Sequence, residues 1–89
     1  MTSEQKFLEA QELVKTLTER PTDEEFLELY SLFKQGTFGD NTTDKPGFLD
    51  LKGKYKWEYW NKKKGMAKET AQEQYVAFVQ TLLEKYAHT

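Results

Sequence analysis

Nine lysines and no arginine lie between residues 30 and 68, interleaved with Tyr30, Phe33, Tyr55, Trp57, Tyr59 and Trp60. A lysine ammonium is a compact point charge suited to phosphate. An aromatic face beside it offers a base something to stack on. Together they fit an adenine nucleotide better than a sugar or a peptide. The formal net charge of −2 conceals this zone: residues 1–29 hold three basic and eight acidic groups, residues 30–68 nine and four, residues 69–89 one and three. Structural roles compete for the same residues. Lys62, Lys63 and Lys64 stand where a third helix would end, a position in which cations complement the helix dipole and stay solvated. Trp57 and Trp60 have the spacing of core residues as much as of ligand contacts.

Other chemistries lack their residues. The chain has no cysteine and a single histidine, His88. Thiolate nucleophiles, disulfides and Cys-ligated zinc therefore drop out, and Ser-His or Cys-His pairs have no credible base. No enzyme and no cofactor are expected, and no metal site. The acidic ends also argue against a nucleic-acid partner, because broad polyanion binding requires a continuous basic face. No stretch approaches the roughly 20 apolar residues of a membrane span, and the N-terminus MTSEQKFLEAQELV has no apolar targeting core. A soluble, cytoplasmic protein is the expectation.

The elements that must position these groups read as helices. Three valines and no isoleucine, against ten leucines, leave little material for strands. Phe7, Ala10, Val14 and Leu17 form one apolar stripe, which places a first helix at about residues 3–16. Thr22-Asp23-Glu24-Glu25 is a capping box that opens a second helix, running through Phe26, Leu27, Leu29, Tyr30 and Phe33 to about Thr37. A long connection punctuated by Gly39, Asn41, Pro46 and Gly47 follows, of a length that is often functional. The third helix starts at Lys52 and stops at Gly65; the fourth spans about residues 67–86, with Ala71, Tyr75, Phe78 and Leu82 on one face. Residues 1–89 are thus expected to form one all-α domain of four helices, which at this size buries roughly 60–65% of the surface of the unfolded chain.

Residues 29–65, LYSLFKQGTFGDNTTDKPGFLDLKGKYKWEYWNKKKG, closely resemble the acyl-CoA-binding protein family, called diazepam-binding inhibitor in animals. The family pattern YxxxKQxTxGD…PGxxDxKGKxKWxxWxxxKG is matched from Tyr30, Lys34 and Gln35 through Gly39, Asp40, Pro46, Gly47, Asp50, Lys52, Gly53 and Lys54 to Lys56, Trp57, Trp60, Lys64 and Gly65. The flanking EEFLELY and AQEQYVAFV segments also fit. The resemblance implies an up-down-down-up four-helix bundle. It implies a monomer that binds medium- to long-chain fatty acyl-CoA, without catalysis, and passes it transiently between enzymes and membranes. A secreted signalling role finds no mark in the sequence.

Residue by residue, the resemblance implies that Lys34 and Lys56 hold the 3′-phosphate of the CoA adenosine. Tyr30 would donate its hydroxyl there, and Tyr75 would contact the nucleotide from the last helix. Phe7, Ala10, Lys15, Asp23, Phe26, Leu27 and Lys52 match positions near the acyl chain, the pantetheine or the rim. Burying a palmitoyl tail at about 0.8 kcal/mol per methylene would supply a gross term near ~10 kcal/mol. The chain departs from the family at Phe26, where Met or Leu is common, at Phe33, where Tyr is common, and at Gln11, where a small apolar residue packs. At Met66-Ala67 it lacks the usual hydroxyl cap, so the last helix is expected to fray at its start.

Overall fold

Reciprocal side-chain caps open the first two helices. In the computed structural model, which describes residues 2–89, α1 spans Ser3–Val14 and α2 spans Asp23–Phe38. Thr22 Oγ1 accepts from the Glu25 amide at 3.1 Å while Glu25 Oε1 accepts from the Thr22 amide at 2.9 Å, the box expected from the sequence. Thr2 and Gln5 make a second such box ahead of α1. The third helix, α3, spans Leu51–Asn61 behind Asp50, whose carboxylate accepts from the Gly53 amide at 3.0 Å. The fourth, α4, spans Lys68–Lys85, and its N-cap Ala67 makes no side-chain hydrogen bond. The expected all-α, four-helix architecture is thus what folds.

Two boundaries differ from expectation. α1 ends at Val14, two residues early, because Thr16 Oγ1 turns back to the Leu13 carbonyl at 2.6 Å and Leu17 enters an antiparallel bridge with His88. The Thr18 amide donates to the Ala87 carbonyl and the Thr89 amide to the Thr16 carbonyl, both at 2.9 Å. α3 ends at Asn61 rather than at Gly65: residues 62–65 form turns, and Gly65, at φ 93°, closes them in the left-handed region that favours glycine.

α4 packs on both α1 and α2, whereas α3 lies against α2. The core follows that plan. Phe7 and Ala10 of α1, Leu29 and Leu32 of α2, and Tyr75, Val79 and Leu82 of α4 are buried together. α2 and α4 touch closely at Gly36, where a Cβ would stand 3.0 Å from Gln72 Cγ and 3.1 Å from Phe7 Cζ, and Gln72 Nε2 donates to the Gly36 carbonyl at 2.9 Å. The molecule measures 37 × 28 × 15 Å. Because α3 is held on one flank of α2, the surface between these two helices stays open.

The long connection, residues 39–50, is fastened by the aromatic residues that follow it. Trp60 Nε1 donates to the Gly39 carbonyl and Trp57 Nε1 to the Thr43 carbonyl, each at 2.9 Å. Gln35, fully buried, donates from Nε2 to Asp40 Oδ1 at 2.9 Å and to the Met66 carbonyl at 2.8 Å. Asp40 accepts in turn from the Gly65 amide at 2.8 Å, and that bond holds its carboxyl below the usual range. One clasp therefore joins the end of α2, the connection and the turn before α4.

Candidate functional site

Phe26, Tyr30 and Lys34 follow one another at four-residue intervals, so α2 presents them along a single face. Across the open flank, Lys56 of α3 points back at them. Its Nζ lies 5.2 Å from the Tyr30 ring centroid and 6.0 Å from that of Phe26. Lys34 Nζ lies 5.7 Å from the same Tyr30 ring, 4.7 Å from Phe38 and 5.3 Å from Trp60. The three residues expected at the nucleotide phosphate, Tyr30, Lys34 and Lys56, are thus brought together.

Electrostatically the cluster is unfinished. Neither Lys34 nor Lys56 has a carboxylate within ion-pair distance among the described residues. Both are only partly exposed, and aromatic faces attract a cation far less than an anion does. Lys63 shows the contrast: it reaches Glu28 at 2.7 Å with its side chain 17% exposed, so this member of the lysine run is paired rather than simply solvated. Burial pushes the Tyr30 hydroxyl above its ordinary value, which keeps it a donor at neutral pH. Two ammonium groups beside one phenol ring, with no carboxylate in ion-pair distance among the described residues, suit a dianion such as a phosphate monoester.

Adjoining the cluster, a cleft of about 480 Å³ runs between α2 and α3. Phe26 and Leu27 line one side, Lys52, Tyr55, Lys56 and Tyr59 the other, and Arg20, Asp23 and Glu24 lie at its α1–α2 end. Phe26, Leu27, Lys52, Lys56 and Asp23 are residues singled out by the sequence. Tyr55 and Tyr59 entered the sequence reading only as aromatics of the lysine zone, not as named ligand contacts. Arg20 carries no signal in the sequence at all; it reaches the cleft as a neighbour of Asp23, with which it pairs at 3.3 Å.

The remaining candidates lie elsewhere. Tyr75 is buried edge-on against Phe7, with centroids 5.0 Å apart and planes at 82°, and Phe33 sits 6.4 Å from it. These three rings join α1, α2 and α4, and burial pushes the Tyr75 hydroxyl up to about 12. Ala10 is buried in the core and borders a smaller groove of about 310 Å³ between α1 and α4. Lys15 is exposed at the end of α1, 3.4 Å from Glu12. Among the described residues no group of three or more Cys, His, Asp or Glu gathers to hold a metal.

Comparison with known proteins places the chain in a family. Residues 4–79 match the family model described as acyl CoA binding protein. The acyl-CoA-binding protein homolog of Drosophila melanogaster is 62% identical over 98% of this chain and 100% of its own length. The acyl-CoA-binding protein homolog 1 of Caenorhabditis elegans is 60% identical over 90% of this chain and 93% of its own. Among solved structures, the crystal structure of Oryza sativa acyl-CoA-binding protein 2 superposes with a TM-score of 0.90 at 41% identity, covering 93% of this chain and 90% of the rice protein. The chain belongs to the acyl-CoA-binding protein family.

Proposed function

We propose that this protein binds medium- to long-chain fatty acyl-CoA and carries it, as a monomeric cytoplasmic pool former, between acyl-CoA-using enzymes and membranes. The observation that carries the reading is the pair of lysines, Lys34 and Lys56, converging without a carboxylate on Tyr30 at the head of an apolar-sided cleft. The adenosine 3′-phosphate sits between the two ammonium groups and takes the Tyr30 hydroxyl as a third donor. The acyl chain lies on Phe26 and Leu27, with Lys52 at the rim. Tyr75, Phe7, Ala10 and Lys15 lie outside this cleft, and their ligand roles rest on the family resemblance alone. The 89 residues act as one binding domain with no cofactor, no nucleic-acid partner and no turnover of the thioester.

Calorimetric titration with palmitoyl-CoA, its 3′-dephospho form and free CoA tests the reading. Tight binding of the first, a loss of about 2–4 kcal/mol for the second and weak binding of the third are expected. Equal binding of the first two would remove the phosphate clamp. No binding of any would remove the carrier function, and release of free CoA faster than in buffer would show catalysis.

A further inference from the structure

Two consecutive large apolar side chains project from the tip of the long connection. Phe48 is 80% exposed and Leu49 86%, and they continue into Leu51 at 58% and Tyr55 at 51% along the outer edge of α3. None of the four belongs to the core cluster or packs against it. The tip is nevertheless held in place. The Asp50 amide donates to the Gly47 carbonyl at 3.0 Å, Asp50 caps α3, and Trp57 grips the connection at Thr43. An ordered turn that presents Phe and Leu to water is an exposed patch with no role in the fold.

The charges around it are predominantly positive. Between residues 44 and 56 stand Lys45, Lys52, Lys54 and Lys56 against Asp44 and Asp50, and the Asp50 carboxylate is already engaged with the Gly53 amide. Apolar residues at a tip, rimmed by lysines, are what an anionic bilayer surface accepts: the apolar side chains enter the headgroup boundary and the ammonium groups stay among lipid phosphates and carboxylates.

We propose that the Phe48–Leu49 turn, with Lys45, Lys52 and Lys54 around it, is a docking surface for an anionic lipid bilayer. Lys52 and Tyr55 also line the cleft between α2 and α3. Docking through this edge therefore brings the cleft mouth to the lipid surface, where an acyl chain can leave or enter without crossing water. The proposal deepens the carrier reading and rests on it for its purpose, though not for its test, which needs no acyl-CoA.

The experiment is co-sedimentation of the ligand-free protein with vesicles of phosphatidylcholine containing about 30% phosphatidylserine, beside pure phosphatidylcholine, at low salt and at ~0.15 M salt. Binding to the anionic vesicles that weakens with salt is expected. The double variant Phe48→Ser/Leu49→Ser should lose about tenfold or more of that partitioning, while Leu8→Ser, which removes another exposed leucine, on α1, should lose none. Phe48→Trp should show a blue-shifted emission on the vesicles. Equal binding of wild type and double variant would overturn the proposal, as would equal binding to neutral lipid. A wild type that sediments as a dimer, dissociated by the double substitution, would assign the turn to a second copy of the chain instead. Palmitoyl-CoA affinity of the double variant, measured by calorimetry, should equal that of wild type. Its retention alongside lost vesicle binding separates failure of the docking surface from failure of the carrier reading.

Discussion

Lys56 of α3 holds its ammonium 5.2 Å from the centre of the Tyr30 ring of α2, beside the cleft that runs between these two helices. The ring occupies the place of a counter-ion without neutralising the charge. Lys34 stands against the same ring from within α2, so two cations attend one aromatic ring, at 5.2 and 5.7 Å from its centre.

Removing either ammonium should accordingly weaken ligand binding without unfolding the bundle. Lys34→Ala and Lys56→Ala are each expected to reduce palmitoyl-CoA affinity by about 1.5–3 kcal/mol, roughly 10- to 150-fold, the range for hydrogen bonds to charged groups. Affinity for 3′-dephospho-CoA esters should change much less. Circular dichroism should be unaltered, because neither lysine supports a helix through an ion pair among the described residues. Calorimetry on both ligands decides the matter, and equal affinity in a variant would take that lysine out of the site.

The Gln35 clasp should govern stability instead. Gln35 is fully buried and makes two hydrogen bonds through Nε2, one to the Asp40 carboxylate and one to the Met66 carbonyl. Gln35→Ala leaves that carbonyl unpaired and loosens the connection on which Trp60 closes. A loss of about 2–4 kcal/mol in urea unfolding is expected, against less than about 1 kcal/mol for the exposed Gln74→Ala on α4.

This division between clamp and clasp was only half legible in the sequence. The pattern around residues 29–65 carries Lys34 beside Gln35 with no local sign that one stands against aromatic rings and the other, itself buried, reaches the Asp40 carboxylate. Helical spacing told that Leu27, Tyr30 and Lys34 share a face, and the Thr22 box located the start of α2. The Leu17–His88 bridge had no sequence signal, since a pairing of two residues with extended backbone so far apart depends on where α4 ends relative to α1. For the same reason Arg20 was invisible: only the packing of the α1–α2 connection places it at the cleft. Lys63 was misjudged as a solvated end-of-helix charge because its partner Glu28 lies on another helix.

The C-terminal end of the chain should make stability sensitive to acid. Glu25 accepts from the Tyr86 hydroxyl, from Lys85 Nζ at 2.9 Å and from the Thr22 amide, and these bonds, the Tyr86 bond foremost, hold its carboxyl down at about 2 against an ordinary 4.5. A carboxyl lowered in the folded state stabilises it above the unfolded value and loses that contribution as pH falls toward the folded one. Urea midpoints should therefore drop between about pH 4.5 and 2. Glu25→Gln should be less stable than wild type at pH 7, with the difference shrinking across that window. A difference that stayed constant down to pH 2 would show that the ionised carboxylate contributes nothing there.

Helix α4 begins with a defect that one atom repairs. Ala67 stands at the N-cap with extended backbone, φ −63° and ψ 146°, and offers no acceptor to the first-turn amides. That backbone already suits a serine, whose hydroxyl would accept from an amide of the first turn. Ala67→Ser should stabilise the protein by about 0.5–1.5 kcal/mol and slow hydrogen exchange in the first turn of α4, leaving ligand affinity unchanged. No gain in the urea midpoint would mean that water already satisfies those amides.

Phe26 separates the two halves of the ligand. Its ring lines the cleft and is still 40% exposed, so a bound acyl chain has apolar area to cover there that the free protein leaves in water. It stands one turn before Tyr30, on the side of the cleft away from Lys34. Phe26→Ala is thus expected to weaken palmitoyl-CoA binding by about 1–2 kcal/mol, roughly 5- to 30-fold, through lost apolar burial. Free CoA, which has no acyl chain, should bind the variant as it binds wild type. Because Lys56 Nζ lies 6.0 Å from the Phe26 ring, an alternative is that the ring positions the lysine. In that case free CoA would weaken by the same factor as palmitoyl-CoA. Titrating both ligands into the one variant tells the two apart, and repeating it with decanoyl-CoA should show a smaller loss if the shorter chain covers less of the ring.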